Sequence, residues 1–586
     1  MSQVRPLKLT VPARKQAAPA FCDGTREGLE AWIAGLPMTD VRRSGRALHG
    51  ALVELNRTAM PAPHRFAQLE TLRQVVHYAC SGLTRSALAR TNLLDEDERR
   101  MVTLAQSLQH QLATGFRLVL VDGMRAGEKL SGHTIETTSG RRLATAMHRS
   151  MSDLSAILLR ALQLYAATPT RLWEELHQLY LLGASRGILE VEVNDPEHRV
   201  RGTTRIIDAY LRALLLACAR PNNLRPAAQG ALFLALEDWA RHARLVSLDT
   251  LEDPLHVVDL SGNTAPMALR LHRFHDDEEL RAIDARDLLL RLSEADPEAR
   301  DERRPADALA LPSGVDAELL RHVSNAWGEA VERHHERAAA TGRVELCLGM
   351  DAVHFFIGDE VAFEEQLRDP RMRQRATTEG APGDGAQDAA PEAEAPTDAA
   401  RPSAQFVRLA DASPYGYGLI WDGDAPATLR TGELIALRAS QGQHWSLCVV
   451  RWLHAGDGQV RLGVEIIGPR CVSVGARVLS TRGGSWEWTP ALLLPAIDAI
   501  DQPATLVTPR RPFRAGQKLA LNQSGSETKI RLEAGDVLSD EYSRFTLREL
   551  GLGQNSCQMD TGIEVEMLNA DEYWESVEYA SETSTP

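Results

Sequence analysis

The feature that most constrains this chain is a change in the spacing of its apolar residues about two thirds of the way along. From about Ala31 to Gly342 they recur at helical intervals. Leu172, Leu176, Leu179 and Tyr180 fall at i, i+4, i+7 and i+8. Ile207, Leu211, Leu214, Leu215 and Cys218 repeat the pattern, and Pro221 follows it, where a helix must stop. After residue 400 the period becomes two: QFVRLA, YGLIW, ELIALRA, WSLCVVRWL and VRLGVEII alternate with DAS, DGDAP, SQGQ and HAGDG. Between the two regimes, residues 376–400 hold six acidic residues, no basic one and almost nothing a core could use. Such a composition cannot bury enough apolar surface to order itself and reads as a linker. The 586 residues suggest about three to five domains, at roughly 100–200 residues each.

The expected fold is therefore multidomain α+β, with a large all-α helical N-terminal domain, then a small antiparallel β-barrel, then a second β-rich block. The composition places a disordered N-terminal tail at 1–24, the helical domain at 25–345, a connecting segment at 346–375 and the acidic linker at 376–402. The barrel follows at 403–490, the second β block, with the option of a second barrel, at 491–560, and an acidic tail at 561–586. Five of the ten tryptophans (Trp421, Trp445, Trp452, Trp486 and Trp488) fall in the first β region, where a barrel core or rim takes them.

Charge and cysteine usage exclude several functions. With 65 basic against 80 acidic residues the formal net charge is −15, so the overall field does not hold the chain to nucleic acid or to an anionic membrane. The seven cysteines are scattered and never form a C-x-x-C pair, which argues against a disulfide framework or a cysteine zinc site. The first twenty residues lack the apolar run of a signal peptide, and no segment has the apolar length of a membrane-spanning helix. A cytoplasmic location without membrane insertion is the expectation.

Two short motifs flank the linker. Before it stands Arg371-Met-Arg-Gln-Arg375; after it stands Asp411-Ala-Ser413-Pro-Tyr-Gly416. Thr431-Gly-Glu433, Val450-Arg-Trp452 and Gly463-Val-Glu-Ile follow along the strands. Together these resemble the R-x-x-x-R and [DN]-x-S-x-x-G patterns of the PilZ family, small β-barrels that are receptors for cyclic di-GMP. The resemblance covers roughly residues 365–470. It implies that Arg371, Arg375, Asp411, Ser413 and Gly416 bind the ligand. The residue types suit that ligand. An arginine fork pairs with phosphate or with guanine O6 and N7, Asp and Ser exchange hydrogen bonds with guanine edges, and glycine lets backbone approach. PilZ domains run a strand between the two motifs where this chain carries its acidic linker. A degenerate scaffold that binds no nucleotide is therefore the alternative, with Asp411 and Ser413 forming a plain Asx/Ser turn. GLPMTD, LWEELHQLYLLG and YLRALLLACARPNNLR are similar to long proteobacterial proteins with a helical domain ahead of a PilZ-like end. That resemblance implies a helical domain that engages a protein partner not named by the sequence.

Other clusters are weaker. His272, His275 and Asp276 have metal-ligand types and echo the HD phosphohydrolases, but a charged helix start accounts for them. His334-His335-Glu336 lacks the second histidine of a zincin. No catalytic residue, resident cofactor or metal ligand is assigned, and the reading is non-enzymatic.

Overall fold

In the computed structural model the described residues are 9–89, 96–274, 279–295, 309–328, 338–368, and 401–550 apart from 414, 424, 427, 439–443, 457, 480–486, 497–502 and 540. They form two compact units, Met1–Arg333 and His334–Pro586. No helix among them is long and apolar enough to cross a membrane.

The first unit is built on α1 (Arg26–Ala34), α2 (Val41–Arg57), α3 (Ala62–Ala89), α4 (Glu96–Arg125), α5 (Thr138–Gln163) and α6 (Leu172–Arg186). The hairpin β1 (Glu192–Asn194) and β2 (Thr203–Arg205) leads into α7 (Ile206–Cys218) and α8 (Pro226–Trp239). Local chemistry sets these ends. Asp40 and Thr137 cap α2 and α5 by accepting from Arg43 and Gly140 N–H. Gly187 closes α6 at φ 63°, where a side chain would be strained, and Pro226 opens α8. α4 packs against α2, α3 and α5, while α7 packs against α5 and α8. One aliphatic core runs through them, from Leu48 and Leu69 through Phe116, Met147 and Leu176 to Leu214, Leu236 and Trp327.

The helical class of this unit stands, with sheets added that the spacing does not reveal. Strands β3 (Arg244–Ser247), β4 (His256–Asp259), β5 (Met267–Ala268) and β6 (Leu280–Asp284) form an antiparallel sheet in the order β3-β6-β4-β5. Helices α9 (Arg286–Ala295) and α10 (Ala317–Gly328) follow. Strands of two to five residues are too short to impose a period on a window of 11–18 residues.

The second unit holds two closed antiparallel barrels of six strands each. Its elements are β7 (Ala338–Ala339), β8 (Arg343–Leu348), α11 (Met350–Ile357), α12 (Phe363–Gln366), β9 (Gln405–Ser413), β10 (Gly416–Asp422), β11 (Leu434–Arg438), β12 (Ser446–Gly456) and β13 (Gln459–Gly468). There follow β14 (Val472–Val478), β15 (Thr489–Leu494), β16 (Thr505–Pro509), β17 (Lys518–Gln523), β18 (Ser526–Val537) and β19 (Tyr542–Glu549). The first barrel runs β10-β13-β12-β11-β8-β9 and closes by pairing β9 with β10; β7 adds a short ladder to β9. The second runs β14-β15-β16-β19-β18-β17 and closes on itself.

Strand pairing divides this unit at other places than the expected boundaries. The expected helical domain ended at 345 and a connector followed, yet β8 spans that point and completes the first barrel between β9 and β11. Its four central residues are all buried, because its outer side is covered as well as its inner one, so no alternation marks it. The expected division at 490 falls inside β15. β14 and β15 belong to the second barrel, because they pair with β17 and β16, partners too distant in sequence for local spacing to disclose. The barrels share a core: Cys347, Met350, Val353, Leu447 and Trp445 pack with Leu492, Val507 and Tyr542. Glu433, of the Thr-Gly-Glu run, is buried there; it accepts from Tyr542 Oη at 2.9 Å and Arg430 Nε at 2.8 Å, and Arg430 also pairs with Glu541.

Candidate functional site

The first barrel's outer face around β9, β10 and β13 can be built from register alone, since residues directly opposite on paired strands share a face. One row runs Ser413, Gly416, Glu465. The next runs Asp411, Gly418, Gly463, Trp452. A third runs Arg408, Ile420, Arg461, His454, with Arg343 opposite Arg408. The intervening Leu419, Trp421, Leu462 and Val464 are buried inside the barrel. A bulge in β9 skips Ala410 and brings Asp411 into line with Gly418.

Three glycines on two neighbouring strands let other groups close over this face. A Cβ on Gly416 would run into the Val464 carbonyl oxygen, which is backbone and cannot yield. A Cβ on Gly418 would lie 2.5 Å from the Asp411 carboxylate, and one on Gly463 would strike the Trp452 indole. Asp411 thus lies across one glycine and Trp452 across the other. Ser413 Oγ donates to the Gly416 carbonyl at 3.1 Å and so closes the turn. The Tyr415 carbonyl accepts from Ile466 N–H at 2.9 Å, while its ring is 62 % exposed at the tip.

Charge is arranged along one edge of this face. Arg408 pairs bidentately with Asp422 at 2.6 and 2.8 Å, and that hydrogen bonding holds the Asp422 carboxyl below its ordinary range. Arg451 pairs with Glu465 at 2.5 Å. Arg343 and Arg461 are exposed and make no ion pair among the described residues. Arg343 stands opposite Arg408 on the paired strand, and the Asp422 carboxylate offsets the charge of both.

Of the residues singled out from the sequence, Asp411, Ser413 and Gly416 come together on this face. Arg371 and Arg375 lie outside the described residues. Trp452, Arg461 and Arg343 join the face although the sequence reading assigned them no binding role. Period two alone places Arg461 and Gly463 on one side of β13, but only the pairing brings them beside Gly418.

Metal-ligand types also gather elsewhere. Of the HD-like trio only His272 is described, its ring against Phe274, and His275 and Asp276 lie outside the described residues, as do His334, His335 and Glu336. His148, Asp195 and His198 in the first unit are close enough to share a cation. Asp195 is already held by Arg73 at 2.7 and 3.0 Å and by Arg149 at 3.0 Å. Burial alone would raise its carboxyl, but Arg73 and then Arg149 overturn that and hold it well below the carboxylate range. Two buried guanidiniums make this an ion-pair node.

Comparison with known proteins decides the family. Three family models follow one another along the chain: the N-terminal domain of the cyclic-di-GMP receptor FimW over residues 27–250, its middle PilZ domain over 255–405 and 378–472, and the FimW C-terminal β-barrel domain over 474–550. The cyclic-di-GMP receptor FimW of Pseudomonas aeruginosa is 32% identical over 578 residues, covering 92% of this chain and 93% of that protein. The chain belongs to the FimW family. No solved structure matches it. The family's two β modules meet between β13 and β14, where the strand pairing also changes barrel. The middle FimW model begins at 255, within the small sheet of the first unit, ahead of the first barrel.

Proposed function

We propose that this chain is a non-enzymatic, cytoplasmic receptor that binds cyclic di-GMP on the outer face of its first barrel. The observation that carries the reading is the gathering of Asp411, Ser413 and Trp452 on one outer face, where Gly418 and Gly463 let the Asp411 carboxylate and the Trp452 indole lie close against the sheet, with arginine along its edge, in a FimW-family chain. The Trp452 indole offers a planar base a face to stack on. Asp411 and Ser413 are the hydrogen-bond partners for a guanine edge. Arg461 and Arg343 stand ready for a phosphate, and Arg371 and Arg375 complete the grip from the preceding segment.

The helical unit is the partner-binding element in this reading. Ligand binding draws the Arg371–Arg375 segment onto the barrel face. The acidic stretch 376–400, which joins α12 to β9 inside the second unit, is long enough to permit that at modest closure entropy. A ligand moves such an equilibrium only as far as its affinities for the two arrangements differ.

The test is calorimetric titration of the full chain with cyclic di-GMP, beside Arg375→Ala and Ser413→Ala. Micromolar or tighter binding to the wild type, weakened by about tenfold or more in each variant, supports the receptor and its site. Absence of binding by calorimetry and by an independent assay leaves a PilZ-shaped scaffold and ends the proposal.

A further inference from the structure

The outer face of the second barrel is cationic where β17, β18 and β19 lie side by side. Register sets Lys518 directly opposite Arg531, and Arg531 directly opposite Arg548. The next row sets Arg477 opposite Ala520 and Ala520 opposite Lys529. These positions point outward, because the residues that alternate with them, Leu519, Ile530 and Leu532, are buried in the barrel core. Lys518, Lys529, Arg531 and Arg548 are all exposed. Strands about 4.8 Å apart put the first row of three cations within roughly 10 Å.

Few carboxylates answer that charge. Glu533 lies 3.9 Å from Arg548, and Glu527 lies 3.4 Å from Arg477, whose guanidinium also covers the Trp488 ring. Arg531 donates to the Gly516 carbonyl at 3.3 Å. Lys518, Lys529 and Arg531 make no ion pair among the described residues. Like charges directly opposite one another destabilise a sheet, so this row gains from an anion laid over it.

The chain supplies such an anion directly after β19. Residues 551–586, which lie outside the described residues, hold eight acidic residues and no basic one. The first of these carboxylates, Asp560, comes ten residues after Leu550, a reach of up to about 33–36 Å and several times the width of the row. We propose that the acidic stretch from Asp560 to Glu582 docks on the cationic face of β17, β18 and β19.

Attachment favours this occupant. Exposed ion pairs are individually weak, but a short tether holds the stretch at an effective concentration on the order of millimolar. The other acidic stretch, 376–400, also leaves from near this barrel, since Asn522 of β17 donates to the Leu367 carbonyl at 3.1 Å. It does so through Arg371, Arg373 and Arg375, whose charge has the sign of the face. With the stretch docked, an anionic partner reaches the face only by displacing it.

The experiment is zero-length carbodiimide cross-linking of the full chain, read by peptide mass spectrometry. The sequence holds five lysines, and Lys518 and Lys529 are two of them, so the linked peptides are few and identifiable. The expected result is amide links from Lys518 or Lys529 to carboxylates within 560–582, formed within one chain and independent of protein concentration. They should fall at least fivefold in 1 M salt, where the Debye length is about 3 Å, and at least fivefold in the double variant Arg531→Glu, Arg548→Glu. Both substituted residues are exposed, so the fold is not at stake. Links from these lysines to 376–400 in place of 560–582, links formed only between two copies, or no link to 560–582 overturns the proposal. So does a link yield that the charge reversals leave unchanged.

Discussion

Asp195→Asn tests whether the buried node in the first unit is an ion-pair structure or a metal site. The carboxylate is fully buried between α3 and α5, with Arg73 at 2.7 and 3.0 Å and Arg149 at 3.0 Å. Arg73 and Arg149 are themselves only 5% and 2% exposed. Neutralising Asp195 leaves both guanidiniums facing an amide, and breaking a buried pair from one side costs about 3–5 kcal/mol. Arg149 keeps Glu70 at 3.1 Å, which holds the figure at the lower end of that range. For a unit of this size about 1 kcal/mol moves the midpoint by roughly 2–4 °C, so a fall on the order of 6–12 °C is expected. Calorimetric melting of the full chain at neutral pH measures it. The Asp195 carboxyl is held below its unfolded value of about 3.9, so its contribution is complete above about pH 4 and is lost only as pH falls below that. A chelator should leave the wild-type transition where it is. A fall under 2 °C in the variant, or a chelator-sensitive wild type, refutes the reasoning.

Burial pushes His177 and His256 down to about 4, so both stay neutral when folded and take up protons when unfolded. Their contribution is full above about pH 6.5 and lost as pH falls from there to about 4, with up to about 3 kcal/mol at stake for each; a flat melting temperature across that window counts against it. Tyr542→Phe removes a hydrogen bond to the buried Glu433 carboxylate across the two barrels and is expected to cost about 1.5–3 kcal/mol in urea unfolding of the β unit, whereas under about 0.5 would show that the contact holds little. Gly416→Ala should cost at least about 1–3 kcal/mol because its Cβ meets the Val464 carbonyl, while Gly50→Ala, in open space on α2, should stabilise by about 0.5–1 kcal/mol; thermal melts of the two variants must move in opposite directions.

Much of this architecture is legible in the sequence where a local signal repeats. Leu172, Leu176 and Leu179 fix a helix face without help from any partner, and the Asp411–Gly416 motif marks a turn by residue type. What escapes is pairing. β8 is covered on both sides and shows no alternation, and β14 resembles the strands before it although it closes a different barrel. The proposed binding face suffers the same limit. Trp452 reads as one more barrel tryptophan until the register sets it against Gly463, and Arg343 lies about 60 residues ahead of the strand that brings it to Arg408. The small sheet of the first unit is lost because its strands are shorter than any period can register.

The most direct test of the receptor assignment is to titrate the full-length, ¹⁵N-tryptophan-labelled protein with cyclic di-GMP and follow the ten indole resonances. The Trp452 resonance, assigned by Trp452→Phe, should move saturably at micromolar ligand while that of Trp173 stays in place. Gly418→Leu, whose side chain pushes the Asp411 carboxylate off the face, should abolish the shift. Binding that leaves Trp452 untouched, or that survives Gly418→Leu unchanged, would contradict the placement of the ligand on this face.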